Sequence, residues 1–299
     1  MSTFFATVRS KEWVDTKLSV LLSIYLAYSE HTNLYSIVLV WVFLAMTLSL
    51  GYVLNNIADW KADEIKYVNQ SRLGRNWLIG LAVTFIVGSL ILSFALGGSV
   101  AIGIAIGCLI FGAAYSLKPI RLKERGIVGV VSGAIGQRAL PILPLLPALN
   151  TSASTYVLLA AVLLVGIRAM VLHQVKDYAN DLFTDTQTFV TAQGVDNAIT
   201  IVQQLIIPAE IVLWAMWIAM QQDMLLLAAF GITILLQLKS RKGISDTTFK
   251  VSIFYYWVIP MYASIGADMA YDWKIALICI VLIQQRKYLK ALLPRLKKR

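Results

Sequence analysis

The sequence predicts an all-α membrane protein, a bundle of about nine transmembrane helices with a tenth C-terminal segment whose second half turns polar. Three observations predict it. Of the 299 residues, 59% are hydrophobic and 14% charged, against about 25% charged in a soluble globular chain. The apolar residues fall in runs of roughly 17 to 25, long enough to cross a bilayer, and backbone polar groups in lipid must be satisfied inside the segment, which makes such runs helical. The lysines and arginines gather in alternate loops, as the positive-inside bias requires.

In chain order the predicted spans are Val14 to Ser29, Leu34 to Ile57, Trp77 to Leu96, Val100 to Leu117, Ile127 to Leu149, Thr155 to Leu172, Ala198 to Met220, Met224 to Leu238 and Val251 to Ala267. The tenth segment runs from Trp273 to Leu292. Pro141, Pro144 and Pro147 in the fifth span predict a kink. The gaps are short, so residues 1–299 read as a single transmembrane domain.

With Arg9, Lys11 and Lys17 cytoplasmic, the same side collects Lys118, Arg121, Lys123, Arg125 and Lys176, and the opposite loops are nearly free of basic residues. The expected location is therefore integral and multi-pass, with membrane lipids as partners. The net charge of +10 does not indicate nucleic acid, because the basic residues are spread over loops. No cleavable signal pattern precedes Arg9. Cys108 and Cys279 lie inside apolar runs and read as packing residues.

Two acidic clusters stand out. "NNIADWKAD" carries Asn55, Asp59 and Asp63 at intervals of four, which one face of a continuing helix would share. "HQVKDYANDLFTD" repeats the interval with His173, Asp177, Asp181 and Asp185. Like charges so spaced repel, so helix propensity does not account for them. Both clusters end spans that run toward the cytoplasm. Carboxylate and amide oxygens are hard ligands suited to Mg²⁺, which binds one or two carboxylates together with waters and substrate phosphates. Thiols are absent from both clusters, which argues against zinc.

Fixed cations lie nearby. Asn69 and Arg72 follow the first cluster, and "YSLKPIRLKERG" holds Tyr115, Lys118, Arg121 and Lys123. Such groups can clamp phosphate oxygens. A metal-lined diphosphate pocket opening into a lipidic bundle implies an isoprenyl diphosphate, its head in the pocket and its chain between helices. Arg138, Arg168 and Glu210 lie within spans, where charges face a cavity or pair. Arg138 and His173 are candidate acceptor contacts, and Arg168 with Glu210 is a candidate ion pair.

The two motifs, N-x-x-x-D-x-x-x-D and D-x-x-x-D-x-x-x-D, with the basic loop between the fourth and fifth spans, resemble the UbiA family of intramembrane prenyltransferases. "VRSKEWVDTKLS" is similar to the usual start of that family, and the resemblance extends to about Phe189. It implies a helical bundle around a central cavity, with Mg²⁺ bridging both motifs and a prenyl diphosphate. Asn55, Asp59, Asp63, Asp177, Asp181 and Asp185 would then hold metal, with Asp59, Asp63, Asp177 and Asp181 central to catalysis. Asn69, Arg72, Tyr115, Lys118, Arg121 and Lys123 would steady the diphosphate.

The expected reaction is transfer of the isoprenyl group to an aromatic or lipophilic acceptor, small molecule or lipid, after ionisation to an allylic cation. Trp13, Trp60, Tyr67, Tyr115 and Tyr178 are candidates, by position, to shelter that cation. A cyclase acting on the diphosphate alone is the alternative enzyme. A transporter of divalent cations or lipid phosphate is the alternative from another class, disfavoured because no repeat is visible and the acids sit at one membrane face.

Overall fold

The computed structural model describes residues 3–29, 33–60, 74–149, 151–224, 226–228, 230–231 and 275. Asp63, Tyr67, Asn69 and Arg72 lie outside the described residues, as do almost all of the spans predicted from Met224 onward.

The described chain forms α1 (Thr3–Thr7), α2 (Ser10–Trp13), a π-turn over Val14–Leu18, α3 (Ser19–Tyr28) and α4 (Leu34–Ala58). It continues as α5 (Arg75–Ser116), α6 (Ile127–Ala134), α7 (Ala153–Phe183), α8 (Phe189–Gln193), α9 (Val195–Ile201) and α10 (Ile207–Gln221). Among the described residues, five helical segments are long and apolar enough to cross a membrane.

The segment α5 has 42 residues, about 63 Å if straight and twice the thickness of a hydrocarbon core. It breaks at Gly97 and Gly98, where Gly98 adopts φ 65, so the two predicted spans form two legs on either side of a kink. The prolines act as expected on the next span. After α6 the chain passes through a π-turn at Ile135–Ala139 and a 3₁₀ turn at Leu143–Ala148.

Helix starts are written into the sequence. Asn33 caps α4, accepting from the Ser36 N–H at 2.8 Å, and Ser36 returns the bond to the Asn33 N–H. Ser152 and Thr155 form the same reciprocal pair at α7, and Thr188 with Thr191 at α8.

Chain ends alternate between two poles. Gly126 bridges Thr188 at the pole that holds Asp59, and Ser29 bridges Leu149 at the other. At that second pole the Tyr28 hydroxyl lies 2.7 Å from the Ser154 hydroxyl and accepts from Trp217 Nε1 at 2.7 Å.

Large side chains such as Phe43, Leu44, Leu78, Trp214 and Trp217 fill the interior. Trp77, Val83, Val87, Ile91, Phe94 and Ile110 stand exposed along α5. An apolar exterior this long suits lipid rather than water. Small residues let helices approach closely: a Cβ at Gly166 would lie 2.8 Å from Arg138 Cγ and 3.1 Å from Ala134 Cβ.

Candidate active site

Residue Asp59 sits at the C-terminus of α4, as its capping residue, with its N–H bonded to the Asn55 carbonyl. The helix α4 itself ends at Ala58, and Asp63, expected on the same face, lies outside the described residues. A carboxylate at a helix C-terminus opposes the helix dipole, and two cations from the loop after α5 compensate it. Arg121 Nη2 donates to Asp59 Oδ1 at 2.8 Å. Lys123 Nζ donates to Asp59 Oδ2 at 2.6 Å and to Asn55 Oδ1 at 2.9 Å.

The loop reaches Asp59 because Arg121 turns it through a left-handed backbone, φ 43, rare for a side-chain-bearing residue. Arg121 Nε also lies 2.8 Å from Glu124 Oε1. Burial holds the Lys123 ammonium below its ordinary value, against the opposing pull of the Asp59 carboxylate. Lys118 shares the loop and makes no side-chain hydrogen bond or ion pair among the described residues.

The second motif is more open. His173 Nδ1 lies 3.3 Å from Asp177 Oδ2, one turn apart on α7, with 43% of the Asp177 side chain exposed. The helix ends at Phe183, with Thr184 as its cap. Asp185 follows in a left-handed conformation, φ 50, exposed and off the helical face on which the spacing had put it. Thr184 terminates the helix by turning its hydroxyl back onto the Asn180 carbonyl. Among the described residues, no three His, Cys, Asp or Glu side chains gather as a metal cluster. Asn55 and Asp59 do present hard oxygens already directed at cations, a donor chemistry that fits Mg²⁺.

A cavity of about 190 Å³ reaches the first motif at Asn55 and, at His173, the helix that carries the second; none of the described motif aspartates is among its lining residues. Asn55 lines it from α4 and His173 from α7, with Tyr115 and Gln137 between them. Its deeper wall is apolar, with Phe43, Leu48, Leu109, Leu140 and Pro144. Of the expected π-faces, Tyr115 lines the cavity. Trp13 is instead buried in the core, its Nε1–H on the Val8 carbonyl, and Tyr178 packs against a second apolar cluster. Cys108, expected to be packing, contributes to the cavity wall.

Arg168 and Glu210 pair as one of the two expected alternatives. Arg168 Nε donates to Glu210 Oε2 at 2.7 Å, and Trp214 Nε1 donates to Glu210 Oε1 at 3.3 Å. Arg138 is buried in the π-turn.

Sequence reasoning passed over Arg9, Lys17 and Tyr52, all of which line the cavity. Their polarity inside or beside apolar runs was the available signal. Asn56, off the motif face, is also engaged: its Nδ2 donates to the Thr7 carbonyl at 3.1 Å and ties α4 to the N-terminal segment.

The family model for the UbiA prenyltransferase family matches residues 18–259. A UbiA homologue from Archaeoglobus fulgidus bound to GPP and Mg²⁺ superposes with TM-score 0.67 at 16% identity, over 93% of this chain and 100% of that one. Digeranylgeranylglyceryl phosphate synthase gives TM-score 0.61 at 13% identity, over 95% and 98% of the two chains. The apo structure of a UbiA homologue from Aeropyrum pernix K1 gives 0.57 at 13%, over 89% and 95%. A comparison with curated protein sequences found no match. With the family model covering most of its length, this chain belongs to the UbiA prenyltransferase family.

Proposed function

We propose that the protein transfers an isoprenyl group from a prenyl diphosphate to an acceptor inside the membrane, with Mg²⁺ as cofactor. The observation that carries this reading is the meeting of Asn55 and Asp59 with Arg121 and Lys123 beside a largely apolar cavity. The A. fulgidus homologues bound to GPP or DMAPP with Mg²⁺ support the donor class.

Asn55, Asp59 and Asp177, with Asp63, Asp181 and Asp185, would hold the metal, which supplies charge neutralisation for a leaving diphosphate. Arg121 and Lys123 bind diphosphate oxygens once part of their charge turns from Asp59 to the substrate. Asn69, Arg72 and Lys118 are assigned to the same role on their sequence positions. The apolar wall around Phe43 and Leu48 receives the prenyl chain and keeps water from its first carbon, where water would give only the alcohol. As the C1–O bond breaks, the electron pair leaves with the diphosphate. The Tyr115 ring, at the cavity wall, offers its π-face to the positive carbon. The acceptor nucleophile then bonds to C1, and its proton passes to an aspartate carboxylate of the second motif. Arg138 and His173 are assigned to acceptor contact.

The test is turnover by purified protein with Mg²⁺, a series of prenyl diphosphates and a panel of acceptors, with products identified by mass spectrometry. Chelation with EDTA should abolish transfer and Mg²⁺ restore it. Wild-type transfer by both Asp59→Ala and Asp177→Ala would overturn the metal assignment. Hydrocarbon formed from the diphosphate alone would point to the cyclase instead.

A further inference from the structure

Resting on the reading that the cavity receives the donor's prenyl chain, we propose that Phe43 and Ser89 set the length of that chain, and that the donor carries no more than three isoprene units. The proposal starts from where the cavity stops. Phe43 lines it from α4 and precedes Asn55 by twelve residues, a rise of about 18 Å. Ala105 lines it from the second leg of α5 and precedes Tyr115 by ten residues, about 15 Å. Two helices thus give nearly the same depth.

The kink in α5 closes the far end. A Cβ added to Gly97 would lie 3.4 Å from Pro147 Cβ and 3.6 Å from the Pro144 carbonyl oxygen, so the kink sits against the 3₁₀ turn. Pro144 itself lines the cavity. An isoprene unit adds four chain bonds, about 5 Å when extended at roughly 1.5 Å per bond. Three units span about 15 Å and four about 20 Å, so along this axis a fourth unit meets Phe43 and the proline turn. The volume sets a similar bound. An engineered cavity of about 150 Å³ takes benzene, and one of about 190 Å³ suits a short chain rather than a polyprenyl tail.

Ser89 stands at the level of Phe43. Measured from the pole opposite Asp59, Phe43 is nine residues into α4, about 13 Å, and Ser89 is eight residues before Gly97, about 12 Å. Ser89 lines the cavity and is 1% exposed, and its Oγ makes no hydrogen bond among the described residues. Ser93 and Thr47 turn their hydroxyls back onto the Leu90 and Phe43 carbonyls, the usual arrangement within a helix. An unpaired buried hydroxyl weakens a fold, and an apolar residue in its place would remove that cost. Packing therefore does not account for the serine, whereas the room that its small side chain leaves for a ligand does.

The test is calorimetric titration of the purified full chain in nanodiscs, with Mg²⁺ and the prenyl thiolodiphosphates of one to four isoprene units, whose C1–S bond resists ionisation. Affinity should fall about tenfold or more from the farnesyl to the geranylgeranyl compound, as overfilling a packed site does. Phe43→Ala should shift that ratio about tenfold toward geranylgeranyl, and Ser89→Leu should shift the farnesyl-to-geranyl ratio about tenfold toward geranyl. Comparing each variant's ratio with that of the wild type cancels the partition of longer chains into lipid. Should Phe43→Ala not fold, Ser89→Leu and the wild-type series carry the test. Equal or rising affinity through four units in the wild type overturns the proposal, as do wild-type ratios in the variants that fold. Binding that ignores chain length sinks this inference alone. If no compound of any length binds, the donor reading falls and this inference with it.

Discussion

Lys123 and Asp59, far apart in sequence, lie 2.6 Å apart as an ion pair, and this contact joins the basic loop to the middle residue of the first acidic motif. Both side chains are mostly shielded, 15% and 17% exposed, so the pair is screened less than a surface pair. Arg121 adds a second cation to the same carboxylate. Replacement of either partner should therefore act on the other.

Lys123→Met removes one of two cations from Asp59 and one diphosphate ligand. Donor affinity should fall by about tenfold or more. A double-mutant cycle with Asp59→Asn should show a coupling of about 0.5–2 kcal/mol in thermal stability. Additive effects in that cycle would mean that the pair is not formed in the folded protein.

Gly129 lies against the loop backbone, where an added Cβ would sit 2.6 Å from the Lys123 carbonyl oxygen. Backbone cannot yield as a side-chain tip can. Gly129→Ala should push the loop away from Asp59, raising the KM for donor several-fold and costing about 1–3 kcal/mol of stability. Unchanged donor KM in a folded Gly129→Ala protein would show that loop position is not limiting.

Arg168 and Glu210 form a fully enclosed ion pair, 3% and 0% exposed. Glu210→Gln takes the buried carboxylate away from the Arg168 guanidinium and should lower stability by about 3–5 kcal/mol, read as a drop in the unfolding midpoint in detergent. Arg168→Met with Glu210→Met should recover much of the loss. The Mg²⁺ dependence of turnover should be the same in every variant that folds.

Asn56 ties α4 to the N-terminal segment through the Thr7 carbonyl. Asn56→Ala should cost about 1–2 kcal/mol and raise amide hydrogen exchange across residues 3–13. Wild-type exchange in the N-terminal segment would remove the anchoring role.

The span pattern was legible because hydrophobic run length is a local property. The break at Gly98 and the helix caps at Asn33 and Ser152 are equally local signals, which the sequence reading did not use. Motif spacing alone misled on Asp185, because the interval of four carries a face only as far as the helix lasts, and α7 stops at Phe183.

The sequence by itself determined the membrane class, the order of the described spans and the family, since run length, loop charge and two spaced motifs survive without knowledge of contacts. Only the tertiary structure decided which cations serve which acid. Arg121 and Lys123 reach Asp59 because a left-handed turn and a helix end bring them there, while Lys118 in the same loop does not. It also decided that Lys17 and Arg9, which read as membrane-surface charges, line a cavity. Charge pairing depends on through-space distance and burial, and neither is encoded in the spacing of residues along one chain.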